Sequence, residues 1–128
     1  MVVIPVELYS SKNSRQVLKA GNGRTYVAKS SVAKKQEKEL TDILYFLMPS
    51  WTQEIRKMKE FPVKIKFKIY RKTKRRFDYV NIVQNLLDCM VKAKWLPDDS
   101  ADYVIPVFDN YEVDAKYPRV EIEVLNDW

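Results

Sequence analysis

The sequence predicts an α+β fold, a two-layer α/β arrangement in which a mixed β-sheet packs against two main helices within one domain of 128 residues. Three segments carry this prediction. Residues 63–69 alternate apolar side chains with lysines, which is the period of a half-buried strand. Residues 78–94 repeat adjacent apolar pairs every four positions, which produces one apolar helix face. Residues 119–125 alternate valine and isoleucine with glutamate, which predicts a second half-buried strand.

Local signals predict the other elements. β-Branched and apolar runs indicate strands, and helical spacing that begins at a serine and is interrupted by a proline indicates helices. Further strands are predicted at 2–9, 25–27 and 103–107, and further helices at 31–47 and from Ser50 to about Met58. No internal repeat or linker separates these segments, so we expect a single domain over residues 1–128.

Composition excludes several classes of catalytic site. The chain has no histidine, so it has no Ser-His-Asp or Cys-His nucleophile. Its single cysteine, Cys89, can form neither an internal disulfide nor a zinc cluster. Two glycines are too few for a Walker loop or a dinucleotide fingerprint, and we expect no small-molecule cofactor. Any chemistry therefore falls to carboxylates, lysines, tyrosines or a hard metal.

The sequence also bears on the compartment. No apolar run reaches the roughly 18–20 residues of a membrane span, and residues 1–5 do not form a signal-peptide core. The lone Cys89 fits a reducing compartment, and its position on a helix predicts a small buried side chain. We therefore expect a cytoplasmic protein with no membrane partner.

Charge is distributed unevenly along the chain. The net charge of +6 combines +3 over residues 1–55, +10 over residues 56–76 and −7 over residues 77–128. The lysines of the 63–69 strand share its polar face, and the basic run 71–76 follows directly. Basic runs are common on solvated faces, but this density favours a polyanionic partner, because lysine and arginine release the counterions condensed on phosphates.

The 78–94 helix has a polar side opposite its apolar face. At about 100° per residue, four polar residues fall together on that side, namely Asn81, Gln84, Asn85 and Asp88. Asp78 stands at the start of the helix, where a carboxylate can also cap free backbone N–H groups.

Acidic residues at both ends of this helix are the candidates for chemistry. A helix of about 17 residues is roughly 25 Å long, so Asp78 meets Asp98 and Asp99 only if the chain folds back after residue 94 or if a dimer joins them. Grouped carboxylates are suited to Mg²⁺, which prefers oxygen ligands and relieves their repulsion. A solvated acidic loop is the simpler interpretation of residues 98–102.

One stretch of the chain combines a basic run with a helix start, a later aspartate and an acidic loop, namely Arg75-Arg76-Phe77-Asp78-Tyr79-Val80-Asn81, Gln84, Asp88 and Trp95-Leu96-Pro97-Asp98-Asp99. This stretch resembles the RusA-type Holliday junction resolvases of bacteria and their phages. That family shows an Arg-Arg-Asp-x-Asp-Asn-x-x-Lys helix start, an aspartate further along the helix and then an Asp-Asp loop. The order of predicted elements also agrees, so the resemblance implies a RusA-like fold for most of the chain.

The resemblance implies a homodimeric endodeoxyribonuclease that depends on Mg²⁺, or on Mn²⁺ in its place. Such an enzyme resolves four-way DNA junctions by paired symmetric nicks during recombination and repair, in the cytoplasm of a bacterial cell or a phage-infected host. The implied catalytic residues are Asp78, Asp88, Asp98 and Asp99, and the implied metal ligands among them are Asp78, Asp98 and Asp99.

The sequence also offers candidate residues for the DNA-binding surface and for the dimer interface. Basic and amide residues near the implied site are the candidates for DNA contact, and surplus apolar residues of the first helices are the candidates for the interface. The first group comprises Lys12, Arg15, Arg24, Lys72, Lys74, Arg75, Arg76, Asn81 and Gln84. The second comprises Leu44, Phe46, Leu47 and Trp51.

Two alternatives follow from particular residues. Val80 and Gln84 stand where the family has a carboxylate and a lysine, which favours either other ligands, such as Asp88 and Asp102, or a junction-binding protein with weakened catalysis. A single-strand nucleic-acid-binding domain is the other alternative. Its stacking platforms would be Tyr70, Phe77 and Tyr79, although such aromatics are more often part of a core.

Overall fold

A computed structural model describes residues 1–9, 15–19, 25–29 and 31–125, with the backbone alone at 15–19 and 25–29, and shows a mixed sheet combined with three helices. The elements in chain order are β1 (Val2–Ile4), β2 (Arg15–Lys19), β3 (Thr25–Lys29), α1 (Ser31–Phe46), α2 (Met48–Ile55), β4 (Val63–Arg71), α3 (Tyr79–Lys92), β5 (Val104–Phe108), β6 (Glu112–Val113) and β7 (Arg119–Leu125). The α+β prediction with a mixed sheet is confirmed.

The five-stranded sheet is organised around β4. Strand order is β1-β7-β4-β5, and β6 pairs with the end of β4 beyond β5. β7 is antiparallel to both β1 and β4, whereas β5 and β6 are parallel to β4. Because β4 and β5 are parallel, α3 forms the crossover between them, and its N-terminus follows the basic end of β4. β2 and β3 form a separate antiparallel pair.

The core lies on one face of this sheet. In β4 the residues Val63, Ile65, Phe67 and Ile69 are buried, and the lysines between them are half-buried on the other face. α3 contributes most of the opposing layer, with Ile82, Leu86 and Met90 fully buried. The period of two in β4 and the paired apolar repeat of α3 therefore predicted the correct inward faces.

A tryptophan pair joins α2 to the segment after α3. The rings of Trp51 and Trp95 stack with centroids 4.9 Å apart. Each indole N–H is satisfied by a backbone carbonyl, that of Trp51 by Trp95 and that of Trp95 by Leu44, both at 2.9 Å. Buried indoles require such acceptors, so the pair fixes where the chain runs after α3.

The C-terminus of α3 is a Schellman turn. The Trp95 N–H donates to the Met90 carbonyl at 2.8 Å, and the Lys94 N–H donates to the Val91 carbonyl at 3.1 Å. Lys94 has φ of 68°, the left-handed conformation that this turn requires and that glycine adopts most readily. The turn reverses the chain and leads through buried Trp95 and Leu96 to the acidic loop.

Several sequence predictions differ from the structure. The first strand ends at Ile4 rather than at residue 9, because Pro5 has no N–H to donate to a ladder. β6 has two residues, too few for an alternating pattern, and was not predicted. Asn85 is buried rather than on the polar side, and its amide nitrogen donates to the Tyr9 carbonyl at 2.7 Å.

The residues predicted for the dimer interface are also placed differently. Leu44 and Trp51 belong to the buried core of the chain, and Leu47 packs against that core. Phe46 is 83% exposed. A helix that packs against several other elements needs a wide apolar stripe. Leu44, Leu47 and Trp51 take part in such packing, so they are not available for a dimer interface.

Cys89 is buried on α3 as predicted, with its sulfur 3.9 Å from the Glu37 carbonyl oxygen. Within the described part of the chain, every helix is too short or too polar to cross a membrane.

Candidate active site and nucleic-acid interface

One face of α3 carries a row of carboxylates and amides. Asp78, Asn81, Gln84 and Asp88 follow one another at intervals of three, three and four residues, which places them on one side of the helix. The Asn81 amide donates to the Asp78 carboxylate at 3.2 Å, and the Gln84 amide donates to the Asp88 carboxylate at 3.0 Å. Each amide therefore orients the aspartate that lies one turn away.

Asp99 joins this row from the acidic loop. The Gln84 amide nitrogen also donates to the Asp99 carboxylate at 3.0 Å, so one side chain holds two carboxylates that are distant in sequence. The Schellman turn and the burial of Trp95 and Leu96 produce this return of the chain. The chain thus folds back after residue 94, as one alternative of the sequence argument required, but the fold-back brings Asp99 to Gln84 and Asp88 rather than to Asp78.

Asp78 occupies the N-cap position but does not cap the helix through its side chain. Its backbone is extended, with φ of −113° and ψ of 130°, and its carboxylate makes no capping hydrogen bond. The side chain instead accepts the hydrogen bond from Asn81 and is exposed. An exposed carboxylate that is oriented but not engaged in a cap can contact a ligand.

The carboxylates that meet differ from the predicted metal set. Gln84 lies six positions after Asp78, which is about 9 Å along the helix axis, so Asp99 is held beside Asp88 rather than beside Asp78. Asp98 is exposed. Within the described ranges no three acidic, histidine or cysteine side chains form a group that could hold a metal, so Asp78, Asp98 and Asp99 do not form such a group in this structure.

Asp88, Asp99 and the Gln84 amide carry oxygen atoms of the kind that bind hard cations, although in this structure the amide nitrogen, not its oxygen, contacts both carboxylates. Asp88 and Asp99 each have an oxygen within 3.0 Å of one amide nitrogen, and the same amide carries a carbonyl oxygen. Carboxylate and amide oxygens, completed by water, are the ligands of Mg²⁺ and Mn²⁺.

Tyr9 is a neighbour of the site that sequence reasoning missed. Burial, followed by electrostatic interaction with Cys89 and Asp88, raises the pKa of its hydroxyl to about 12. Its backbone carbonyl accepts the Asn85 hydrogen bond, which anchors the chain after β1 to α3. Since Tyr9 and Asp88 are far apart in sequence, no local signal could have linked them.

The loop between β4 and α3 presents a group of exposed cations. Lys72, Lys74, Arg75 and Arg76 are all exposed, and none forms an ion pair with the described residues. Arg71, at the end of β4, is tied down instead, because its guanidinium donates to the Leu8 carbonyl at 2.8 Å. The four loop cations precede Asp78 directly and can therefore bind phosphates close to the carboxylate row.

The lysines within β4 have a different environment. Lys66 lies 3.9 Å from the Glu123 carboxylate of β7, and Lys68 lies 3.0 Å from that of Glu112 in β6. Burial alone would lower the pKa of Lys68, but the hydrogen bond to Glu112 raises it overall. These lysines are partly neutralised by the acidic half of the chain.

Aromatic residues form two separate groups near the end of β4. Phe77, Tyr79, Phe108 and Tyr111 contact one another, with ring centroids between 4.9 and 6.5 Å apart. Tyr70 lies on the other face of the sheet, where the Arg119 guanidinium stacks on its ring at 3.6 Å. Of the three predicted stacking residues, Phe77 and Tyr79 are therefore brought together and Tyr70 is not.

The remaining predicted DNA contacts lie in the first third of the chain. Lys12 and Arg24 fall outside the described residues. Arg15 begins β2, where its backbone pairs with Lys29.

No protein-family model matches this chain, and no significant match is found among curated protein sequences.

Proposed function

We propose that this chain is a metal-dependent endodeoxyribonuclease of the RusA type, which resolves four-way DNA junctions by paired nicks. The observation that carries the proposal is the hydrogen-bonding of Asp88 and Asp99 to the single amide of Gln84, on a helix that begins directly after four exposed cations. Oriented carboxylates on a helix that follows a cationic loop are suited to metal-dependent phosphodiester hydrolysis.

The chain's residues divide the work as follows. The loop cations bind phosphates some way along the strand from the cleaved bond and fix the position of the strand, because Asp88 lies about 15 Å along the helix axis from Asp78. Gln84 holds Asp88 and Asp99 ready as ligands, and Asn81 orients Asp78 on the same helix face. When bound there, Mg²⁺ or Mn²⁺ supplies a water of lowered pKa and neutralises charge on the phosphate.

A second candidate function is junction binding with weak or no cleavage. It is favoured by Gln84, which donates to both carboxylates but carries no charge of its own. Val80 also favours it, because this apolar side chain is 67% exposed in the first turn of α3, beside Asp78. Val80 cannot stabilise developing negative charge, and the Gln84 amide lacks the positive charge of a lysine and already donates to Asp88 and Asp99.

The experiment measures nicking of a synthetic four-way junction with Mg²⁺, and junction binding in EDTA. We expect the wild-type chain to nick the junction and Asp99→Asn to lose at least 100-fold in nicking rate while keeping its affinity within about twofold. Glu39→Gln, an exposed substitution on α1, is the matched control and should cleave as the wild type does. If the wild type binds the junction but does not nick it, the second candidate function replaces the first.

The proposal includes a homodimer in the bacterial or phage-infected cytoplasm. A four-way junction has two equivalent cleavage points, so a two-fold dimer presents one site to each. Light scattering at micromolar concentration should give the mass of two chains, and a monomer that still makes paired nicks would remove this part of the proposal.

A further inference from the structure

A cluster of four aromatic side chains lies at the N-terminus of α3, and we name it the aromatic platform. It consists of Phe77, Tyr79, Phe108 and Tyr111. Phe77 and Tyr111 meet edge to face at 4.9 Å, and Tyr79 and Phe108 stack at 5.6 Å. Its members come from the β4–α3 loop, the first residue of α3, the end of β5 and the segment before β6. The platform therefore depends on the tertiary fold.

The platform is exposed on one side and supported on the other. Phe108 is 39% exposed and Tyr111 is 37% exposed, whereas Phe77 and Tyr79 are half-buried and pack against the core. The Tyr111 backbone N–H donates to the Tyr79 hydroxyl at 2.9 Å, which fixes the segment that carries the exposed ring. Exposed rings held by a rigid layer can bind a planar ligand at a low cost in side-chain entropy.

The charges around the platform indicate the nature of that ligand. The exposed loop cations at 72–76 lead directly into Phe77, and the Arg71 guanidinium lies 4.6 Å above the Phe77 ring. On the far side, Glu112 is paired with Lys68 at 3.0 Å, and Asp109 is exposed. Positive charge on the loop side and negative charge on the β6 side favour a polyanion whose backbone follows the loop and whose flat groups reach the rings.

We propose that the aromatic platform stacks unpaired bases of a DNA strand at a branch point, while the loop cations hold the adjoining phosphates. The inference rests on the proposed function for the identity of DNA as the ligand, and it adds the part of the DNA that is recognised. Bases within a duplex already stack on their neighbours, so only unpaired bases offer a face to the rings.

The test uses a branched DNA whose single-stranded arm carries 2-aminopurine next to the branch, and a fully paired duplex of the same length, both in EDTA. We expect binding to quench the 2-aminopurine fluorescence, because stacking on an aromatic ring does so. Tyr111→Leu should weaken binding to the branched DNA about tenfold and change binding to the duplex by less than twofold.

Two variants serve as controls. Tyr111→Phe keeps the ring and should bind as the wild type does. Tyr117→Leu removes an exposed tyrosine whose ring contacts Arg119 on the other face of the sheet, and it should change neither affinity. Since Tyr111 bonds to Tyr79 through its backbone, Tyr111→Leu keeps that hydrogen bond, and an unchanged urea denaturation midpoint together with an unchanged far-ultraviolet circular dichroism spectrum should verify the fold.

The outcomes separate this inference from the proposed function. Equal affinity of Tyr111→Leu and the wild type for the branched DNA overturns the inference, as does an equal loss of binding to both DNAs, even if the junction is nicked normally. Conversely, the wild-type chain could fail to nick the junction while Tyr111→Leu abolishes the fluorescence quenching and lowers the affinity for branched DNA tenfold. That result supports the inference and overturns the proposed nuclease activity. If the wild-type chain binds neither the branched DNA nor the duplex, both the inference and the proposed function are overturned.

Discussion

Two groups among the cations of residues 56–76 have different surroundings in the fold. Lys57, Lys66 and Lys68 each lie within 3.9 Å of a glutamate, namely Glu54, Glu123 and Glu112. The four cations of the 72–76 loop are exposed and form no ion pair with the described residues. Lys57 pairs with a residue three positions before it, whereas Lys66 and Lys68 pair with glutamates that β7 and β6 bring from elsewhere in the chain. The second group follows the end of β4.

This difference shows that charge density along a sequence does not equal surface potential. β7 is the acidic strand of the C-terminal half, and it pairs antiparallel with β4, so Lys66 lies opposite Glu123 and Lys68 opposite Glu121. Such cross-strand pairs are modestly stabilising and reduce the field available to a distant polyanion. We therefore assign attraction for DNA to the loop rather than to the whole basic segment.

The largest effect should come from breaking the most buried pair, with Glu54→Gln. Glu54 is 3% exposed and accepts hydrogen bonds from Lys57, from the Val124 N–H and from the amino group of Met1. Removing its charge should lower the free energy of unfolding by about 2 kcal/mol, as urea denaturation can measure. Exposed Glu60→Gln is the control and should change it by less than about 0.5 kcal/mol.

The same pair predicts a pH dependence. Burial alone would raise the pKa of Glu54, but the hydrogen bonds from Lys57, the amino terminus and Val124 outweigh burial and lower it below the ordinary 4.5. A depressed pKa in the folded state means that the stabilisation is present above pH 4.5 and is lost as the pH falls through the folded value. Wild type should therefore lose more stability than Glu54→Gln on acidification, and parallel pH profiles would contradict this assignment.

The second effect concerns the loop, through the double variant Arg75→Ala with Arg76→Ala. Junction affinity in EDTA should fall by about tenfold or more, and the slope of log affinity against log salt should decrease by about 2, since each phosphate contact contributes about 0.9. Lys66→Ala is the control from the paired group. A Lys66→Ala loss as large as that of the loop variant would remove the distinction between the two groups.

A third variant, Lys94→Gly, tests whether exposure alone makes a lysine attract DNA. Lys94 is exposed but holds the left-handed position of the Schellman turn, where glycine avoids a steric cost. We expect stability to rise by about 1 kcal/mol by urea denaturation and junction affinity to change by less than twofold. A clear loss of affinity would show that the DNA surface extends to the end of α3.

The smallest effect should follow from Glu123→Gln, which releases Lys66 from its partner. Both side chains are 39% exposed, so the pair contributes about 0.5 kcal/mol or less to stability. Junction affinity should increase slightly, by less than about threefold, in filter-binding or anisotropy measurements at low salt. An unchanged affinity would indicate that the outer face of the sheet does not contribute to the field.

Much of the fold was predictable from periodicity. β4, α3 and β7 are long and regular enough to show their buried faces in the sequence, and Arg119–Leu125 begins and ends where predicted. The failures occur where tertiary contacts replace the local pattern. Asn85 lies on the polar side of α3 by spacing but is buried, because the chain after β1 offers it the Tyr9 carbonyl.

The candidate site was predictable in its components but not in its pairing. Asp78, Gln84, Asp88 and Asp99 were all identified as candidates, and the structure joins Asp99 to Asp88 through Gln84. The Schellman turn at Lys94 and the Trp51–Trp95 stack decide this pairing. The turn lacks the glycine that usually marks it in a sequence, and the stack joins residues far apart in the chain.

The sequence by itself determined the elements of this protein, the chemistry available to it and the position of its charges, because these depend on residue type and on neighbours within a few positions. Only the tertiary structure decided which charges cancel, which carboxylates meet and which aromatic rings remain exposed. Those outcomes depend on strand pairing and on chain reversal between residues far apart, as in the pairing of Lys66 with Glu123 and of Gln84 with Asp99.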